Sequence, residues 1–201
     1  MRPKLALAVA LALLAPSLAA AAATIYAIDK NHTVVGFKIR HWVSNVEGRF
    51  NDFDGKIHYD PQNPAASKVE FAVKAASIDT NNERRDTHLR SADFFDAEKI
   101  PELTFKSTTV EAKDADTLEV TGDLTIHGVT KQVTVPVDIL GFQDLAEGNQ
   151  KAGFETSFTV NRKDYGIVWD RTLDAGGTML GDTVKITLSI EADKEIEKKA
   201  A

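Results

Sequence analysis

The chain has 201 residues, of which 43% are hydrophobic and 27% are charged, and its formal net charge is −6. Because it contains no cysteine, it can form no disulfide, thiolate nucleophile or cysteine-ligated zinc site. The composition is that of a globular protein, and the acidic balance argues against a nucleic-acid partner held through a broad phosphate-binding surface.

The first 23 residues have the layout of a secretory signal peptide. Arg2 and Lys4 precede an apolar run over residues 5–15, and an alanine tract over 19–23 offers cleavage sites of the A-x-A kind. The apolar run is too short for a membrane anchor, which needs about 20 such residues. We predict cleavage after residue 21, 22 or 23, export to the bacterial periplasm, and a single domain over residues 24–201.

Most of the remaining chain alternates hydrophobic and polar residues with a period of two. This pattern is typical of antiparallel strands with one buried and one solvent-facing side. About eight or nine such strands must hide their apolar sides together, either in a closed barrel or in a sandwich. Of these two architectures, a barrel of about eight strands offers an interior that can hold a ligand. The clearest alternating runs are residues 35–40, 69–75, 102–106, 118–126, 132–139, 154–160 and 183–190.

One segment, residues 79–99, interrupts this alternation. We expect one of residues 79–81 to cap a short helix that ends near Ser91, and Asp93 to cap a second helical turn. In a β protein, a connection of about 20 residues is often a functional lid or capping loop. The sequence therefore predicts one or two short helices here.

Three stretches of sequence in and after this connection form a distinctive set. They are Asn-Glu-Arg-Arg-Asp-Thr-His-Leu-Arg at 82–90 with Asp-Phe-Phe-Asp at 93–96, Pro-Glu-Leu-Thr-Phe-Lys-Ser at 101–107, and Leu-Thr-Ile-His-Gly-Val-Thr-Lys at 124–131. Together they resemble the YceI-like family of exported bacterial proteins, and the resemblance extends over roughly residues 24–192. It implies a lipocalin-like antiparallel β-barrel. It also implies binding of a polyisoprenoid or quinone-like lipid in an apolar cavity with a polar group at its mouth, without catalysis.

Eight aromatic residues are predicted to contact such a ligand. Four occupy inward-facing strand positions, for which ordinary core packing is the alternative. Three lie near strand ends, where an amphipathic ring can meet a ligand at the rim, and one belongs to the 79–99 connection. The first four are Phe37, Phe71, Phe105 and Phe158, the next three are Trp42, Tyr165 and Trp169, and the last is Phe94.

A local cationic cluster in an otherwise acidic protein consists of Arg84, Arg85, His88 and Arg90, of which the first three are the candidate ligand contacts. On a helix, Arg84 and His88 lie four residues apart and share a face. Guanidinium groups bind phosphate through two hydrogen bonds, so the cluster is a candidate head-group site. The alternative is that these side chains pair with the acidic residues around them.

No motif for metal binding or nucleophilic catalysis is present. The five histidines are scattered, and there is no nucleophile-elbow pattern. We therefore predict no metal, no catalytic residue and no cofactor other than the bound lipid. The leading hypothesis is a periplasmic isoprenoid carrier, monomeric or homodimeric, that contacts the membrane only transiently. The alternatives are an enzyme acting on such a lipid and an envelope interaction or stress protein without a ligand.

Overall fold

The computed structural model describes residues 23–171 and 178–196. Almost all of the predicted signal peptide, residues 1–22, lies outside these ranges. Within them, no helix is both long and apolar enough to cross a bilayer. The strands are β1 (Thr24–Ile28), β2 (Val34–His41), β3 (Ser44–Phe50), β4 (Phe53–Tyr59), β5 (Lys68–Lys74), β6 (Ile78–Asp79), β7 (Glu102–Ala112), β8 (Thr117–Ile126), β9 (Val129–Asp144), β10 (Gln150–Asn161) and β11 (Leu180–Lys194), and the helix is α1 (Glu83–Arg90).

These strands form a closed barrel with eight positions, in which every neighbouring pair is antiparallel. The position beside β11 is shared by β1 and β2, which both pair with β11. The next position is shared by β4, which pairs with β1, and β3, which pairs with β2. The third is shared by β5, which pairs with β4, and β6, which pairs with β3. Strands β7 to β11 then pair in chain order. Because β1 also pairs with β11, with Tyr26 opposite Lys194, the sheet has no open end. The predicted eight-stranded barrel is confirmed, and the sandwich alternative is excluded.

The period-two pattern places the side chains as expected. In β8, for example, Leu118, Val120 and Leu124 are buried, whereas Glu119 and Asp123 are exposed. Successive strand residues point to opposite faces, so one face of every strand turns to the barrel interior. The interior is therefore lined by aliphatic and aromatic side chains supplied by the whole length of the chain.

Helix α1 is the one α-helix in the described part of the chain, beside four short 3-10 helices, and it lies in the predicted connection. Its cap is Asn82, whose side-chain oxygen accepts a hydrogen bond from the Arg85 N–H at 3.1 Å. The prediction of a cap among the three preceding residues was wrong, because Asn81 adopts a left-handed conformation (φ 58°) and turns the chain before the helix begins. The helix ends at Ser91 as expected, and the segment around Asp93 forms turns instead of a second helix.

The barrel has two different ends. One end, called the mouth below, comprises the β2–β3 hairpin turn, the β8–β9 turn, α1 and residues 162–171. The other, called the closed end, carries the turns that precede β5, join β7 to β8 and join β9 to β10. Strand register places these turns at opposite ends, since His41 lies opposite Leu180 while Lys151 lies opposite Asp193.

Candidate functional site: an apolar barrel interior with a polar mouth

A cavity of about 840 Å³ occupies the mouth half of the barrel. Its walls come from β2, β3 and β11 on one side, and from α1 and residues 162–169 on the other. Most of the lining is apolar, and polar side chains are concentrated where α1 and the 162–169 segment meet. The apolar part of the lining includes Ile39, Val46, Phe50, Leu89, Phe95, Ile126, Val160, Ile167, Met179, Leu180, Val184 and Ile186.

A second cavity of about 160 Å³ lies deeper in the barrel, towards the closed end. Phe37, Phe50, Leu103, Ile126 and Ile186 line both cavities, so the two spaces meet at a shared wall. Apolar surface buried in such a space contributes about 25 cal/mol per Å². The two cavities lie next to each other within the barrel, and the apolar lining of both is suited to an apolar chain.

Glycines on neighbouring strands let the lining aromatic rings lie flat against the barrel wall. A Cβ atom at Gly48 would lie 2.4 Å from Cζ of Phe37, and one at Gly55 would lie 2.7 Å from Cδ2 of Phe71. Phe37 is paired with Gly48, and Phe71 with Gly55, so each ring covers the glycine opposite it. The rings therefore cover neighbouring backbone instead of extending across the interior, which keeps space open.

An aromatic cluster stands at the mouth. The ring of His88 packs edge-on against Phe94 and against Trp169, each at 5.0 Å between centroids, and Phe94 and Trp169 lie 5.2 Å apart. Nε2 of His88 lies 2.8 Å from Oδ2 of Asp93. Nearby, burial raises the pKa of the Tyr165 hydroxyl above its ordinary value of 10.0. The cluster joins α1, the turns after it and the 162–169 segment, although these are far apart in sequence.

The two neighbouring arginines of α1 have different roles. The Arg85 guanidinium donates to the hydroxyl oxygen of Thr80 at 2.7 Å and to its carbonyl oxygen at 2.8 Å. Thr80 in turn donates its backbone N–H to the buried carboxylate of Asp86 at 3.0 Å. Arg85 is therefore engaged in holding the start of the helix. Arg84 is exposed and lines the mouth cavity, which makes it the better placed of the two to meet a polar head group.

Arg162 is a lining residue that the sequence did not reveal. Its side chain is 3% exposed and donates to the carbonyl oxygens of Gly181 (2.9 Å), Ile167 (2.9 Å) and Trp169 (2.7 Å). Its Nη2 also lies 3.8 Å from the buried carboxylate of Asp170. These contacts fix the 167–170 segment against β11. The buried cation thus positions one wall of the mouth.

All of the predicted ligand-binding residues except Trp42 line one of the two cavities. Trp42 lines neither, because it lies in the β2–β3 turn, where it is 51% exposed and stacks on His41 at 5.6 Å. Ligand contact stays a prediction for all eleven residues. Around the mouth cavity lie Phe37, Arg84, Arg85, His88, Phe94, Tyr165 and Trp169, and around the deep cavity lie Phe37, Phe71, Phe105 and Phe158.

One cluster of potential metal ligands lies away from both cavities. Asp29, His32 and Glu191 bring one ligand atom each within 4.8 Å of one another. The ammonium group of Lys151 lies among them, 3.2 Å from Asp29 and 2.8 Å from Glu191. A lysine in this position supplies the positive charge that a metal ion would otherwise bring. The cluster is thus organised as an ion-pair network that joins β10, β11 and the link between β1 and β2.

Comparisons with known proteins point to one family. The model of the YceI-like domain matches residues 26–192. The protein YceI of Escherichia coli is 46% identical over 157 residues, which are 77% of this chain and 82% of that protein. The crystal structure of Burkholderia cenocepacia BcnA superposes with a TM-score of 0.72 at 25% identity, covering 82% of this chain and 99% of that one. A polyisoprenoid-binding domain from Saccharophagus degradans has the same fold, with a TM-score of 0.63 at 15% identity and coverage of 85% and 98%.

Proposed function

The chain belongs to the YceI-like domain family, and on that premise we propose that it is a periplasmic carrier of an isoprenoid or quinone-like lipid. The observation that carries the proposal is the apolar interior of the barrel, open in its mouth half as a cavity of about 840 Å³ and continued towards the closed end. A domain of the same fold from Saccharophagus degradans is described as polyisoprenoid-binding, which supports an isoprenoid ligand for this chain. The signal-like first 23 residues support export to the periplasm.

The division of the interior into an apolar length and a polar mouth supports an amphiphilic ligand. Each buried methylene contributes about 0.8 kcal/mol, so one five-carbon prenyl unit contributes about 3–4 kcal/mol before the cost of association. That cost is about 4–15 kcal/mol, which several prenyl units offset. By contrast, an exposed ion pair between Arg84 and a charged head adds about 0–1 kcal/mol. In this proposal the tail sets the affinity and the head sets the orientation.

The titratable side chains at the mouth support binding over catalysis. His88 is held by Asp93, Arg85 by Thr80, and Arg162 by backbone carbonyl oxygens. A catalytic site requires a nucleophile or base aimed at the place where a substrate atom would lie. Here the guanidinium groups of Arg85 and Arg162 are instead directed at structural partners. The cavity also counts against an interaction protein without a ligand, for which a filled barrel would suffice.

A titration with a matched ligand series tests the proposal. The Trp42→Phe variant leaves Trp169 at the mouth as the sole tryptophan, and its emission reports on ligand entry. We expect removal of one prenyl unit to weaken binding by at least about tenfold, and replacement of a phosphate head by a hydroxyl to weaken it by less than about fivefold.

Equal affinity for short and long tails would refute the proposal. The Arg84→Gln variant provides the matched control for the head group. It should abolish the small preference for phosphorylated ligands while leaving the dependence on tail length unchanged.

A further inference from the structure

The hairpin turn between β2 and β3 projects two apolar side chains from the rim of the mouth. Val43 is fully exposed, and the side chain of Trp42 is 51% exposed. The Trp42 N–H donates to the Met179 carbonyl oxygen at 2.8 Å, and Arg40 Nη1 donates to the Trp42 carbonyl oxygen at 2.7 Å. These bonds hold the turn as a fixed projection that does not fold back over the cavity.

A third exposed apolar residue stands on the same rim. Val168 is 65% exposed, although its neighbours Ile167 and Trp169 both line the mouth cavity. The Met179 N–H donates to the Arg171 carbonyl oxygen at 3.1 Å, so the 167–171 segment runs beside the residue that holds the hairpin turn. Exposed apolar side chains therefore surround the opening through which an apolar ligand would pass.

The exposed charges differ between the two ends. Arg40, Arg84 and Arg171 are exposed around the mouth. Of the exposed acidic residues at this end, Glu83 pairs with Arg90 at 3.2 Å, Asp93 with His88 at 2.8 Å and Asp164 with Lys131 at 3.9 Å. The turns of the closed end and the strand residues that adjoin them carry more acidic than basic side chains. The exposed charged residues there are Asp114, Asp116, Asp144, Glu147, Lys68 and Lys113.

From this arrangement we propose that the protein docks mouth-first on the surface of an anionic lipid bilayer. Trp42 and Val43 enter the interfacial region, where an amphipathic indole ring is favoured, and the arginines lie at the level of the lipid phosphates. The acidic closed end is repelled by the same surface, which fixes the orientation. The inference rests on the proposed function, because a barrel that exchanges an apolar lipid must bring its opening to the membrane.

Vesicle partitioning tests this docking surface. The processed chain, with its first residue established by mass spectrometry, is mixed with vesicles of phosphatidylglycerol and phosphatidylethanolamine, or with neutral phosphatidylcholine vesicles. We expect tighter binding to the anionic vesicles, and a loss of about tenfold in the partition coefficient for Val43→Asp. Val43 lines neither cavity and is fully exposed, so this variant should fold normally.

Leu145→Asp is the matched control. Leu145 is an exposed apolar residue in the turn at the closed end, 46% exposed, and its substitution adds the same negative charge. Its partition coefficient should change by less than about twofold. Equal losses in the two variants, or equal binding of the parent protein to anionic and neutral vesicles, would overturn the proposal. So would a dimer that Val43→Asp dissociates without changing vesicle binding, because the surface would then belong to a second copy.

A ligand titration in the absence of vesicles separates this inference from the proposed function. Val43→Asp should bind a soluble short-chain prenyl probe with the parent affinity, while extracting lipid from anionic vesicles more slowly. If neither the parent protein nor Val43→Asp binds the probe, the carrier proposal fails, and the docking proposal that rests on it fails with it. If both bind and extract at the same rate, only the docking proposal fails.

Discussion

The closed end of the barrel is filled by aromatic rings, whereas the mouth is framed by them. At the closed end, Phe142 stacks on Tyr59 at 5.4 Å, and Phe154, which is 2% exposed, packs edge-on against both. At the mouth, His88 and Trp169 are only half buried, and their rings border a cavity about five times larger than the deep one (840 against 160 Å³). Aromatic residues therefore form a packed plug at the closed end, consisting of Tyr59, Phe142 and Phe154, and border an opening at the mouth.

This difference indicates how the barrel divides stability from binding. A close-packed interior stabilises a fold, because every lining atom has partners, and an empty space loses those contacts. The atoms that line the mouth half lack those packing contacts, and a ligand that fills the cavity stabilises the folded state by mass action. The closed end must then supply much of the stability of the free protein. The three predictions that follow test this division, beginning with the largest expected effect on the free energy of unfolding.

Truncating the plug should destabilise the protein most. Phe154→Ala removes a fully buried ring at the closed end, and we expect it to lower the free energy of unfolding by about 3–5 kcal/mol. Urea unfolding of the ligand-free protein measures this value. Phe158, four residues further along β10, lines the same deep cavity as Phe154 but is only half buried, so it provides a matched control.

Phe158→Ala should cost clearly less than Phe154→Ala, because the Phe158 ring is only half buried and loses fewer contacts. If the two truncations were equally costly, the division between the two ends would be contradicted.

The second prediction concerns the buried cation at the mouth. Arg162→Met leaves the carbonyl oxygens of Ile167 and Trp169 without a donor and the buried Asp170 carboxylate without its nearest cation. We expect a loss of about 3 kcal/mol in the free energy of unfolding, and a red shift of the Trp169 emission in the Trp42→Phe background. Arg162→Lys should recover little of this lost free energy of unfolding, since a lysine cannot form the same set of fixed hydrogen bonds.

Arg171→Met is the comparison variant for this experiment. It removes an exposed arginine from the same segment, and its effect should stay within about 0.5 kcal/mol. A shifted Trp169 emission in Arg171→Met, or an unshifted one in Arg162→Met, would show that Arg162 does not position the segment.

The barrel was predictable from the sequence because it depends on a local pattern. Period-two alternation assigns each strand residue to a face whichever strand lies beside it, so inward positions such as Phe71 and Phe105 could be named in advance. The alternation does not predict the conformation of a hairpin turn. Trp42 lies in such a turn with a positive φ of 49°, and its side chain belongs to neither the inner nor the outer face of a strand. The predicted cap of α1 was wrong by at least one residue for the same reason, because no pattern of residue types indicates that the backbone of Asn81 is left-handed.

The partners of Arg162 and of the Asp29 network were unpredictable because no local pattern of residues identifies them. Arg162 follows a strand in a segment with neighbouring charges of both signs, and nothing local distinguishes it from an exposed residue. Its burial depends on a carbonyl oxygen of β11 at Gly181, which is 19 positions away. The network places Asp29 beside Lys151, which is 122 positions away, and Lys151 beside Glu191. A sequence pattern can identify which face of a strand is buried, but it cannot identify which charged residues will form a pair.

The third and smallest effect is the pH dependence of that network, which lies towards the closed end. The hydrogen bond with His32, together with those from the Asn31 N–H and Lys151, lowers the pKa of Asp29 from 3.8 to about 2. A carboxylate with a lowered folded-state pKa contributes stability that is complete above its unfolded pKa and is lost as the pH falls through the folded value. The same contact raises the pKa of His32 above 6.5, so the contribution of His32 is complete below that pH and is lost as the pH rises through its folded value.

Both effects enter the difference in free energy of unfolding between the parent protein and Asp29→Asn. We expect this difference to be largest between about pH 4 and pH 6.5, to shrink in acid as Asp29 is protonated, and to shrink partly in base as His32 loses its charge. Urea unfolding at a series of pH values measures it. In a His32→Gln background the change on the alkaline side should disappear while the acidic one remains. A difference independent of pH would show that the network does not distinguish the charged from the neutral carboxyl. The closed end would then owe its stability to its aromatic plug without measurable help from these charges.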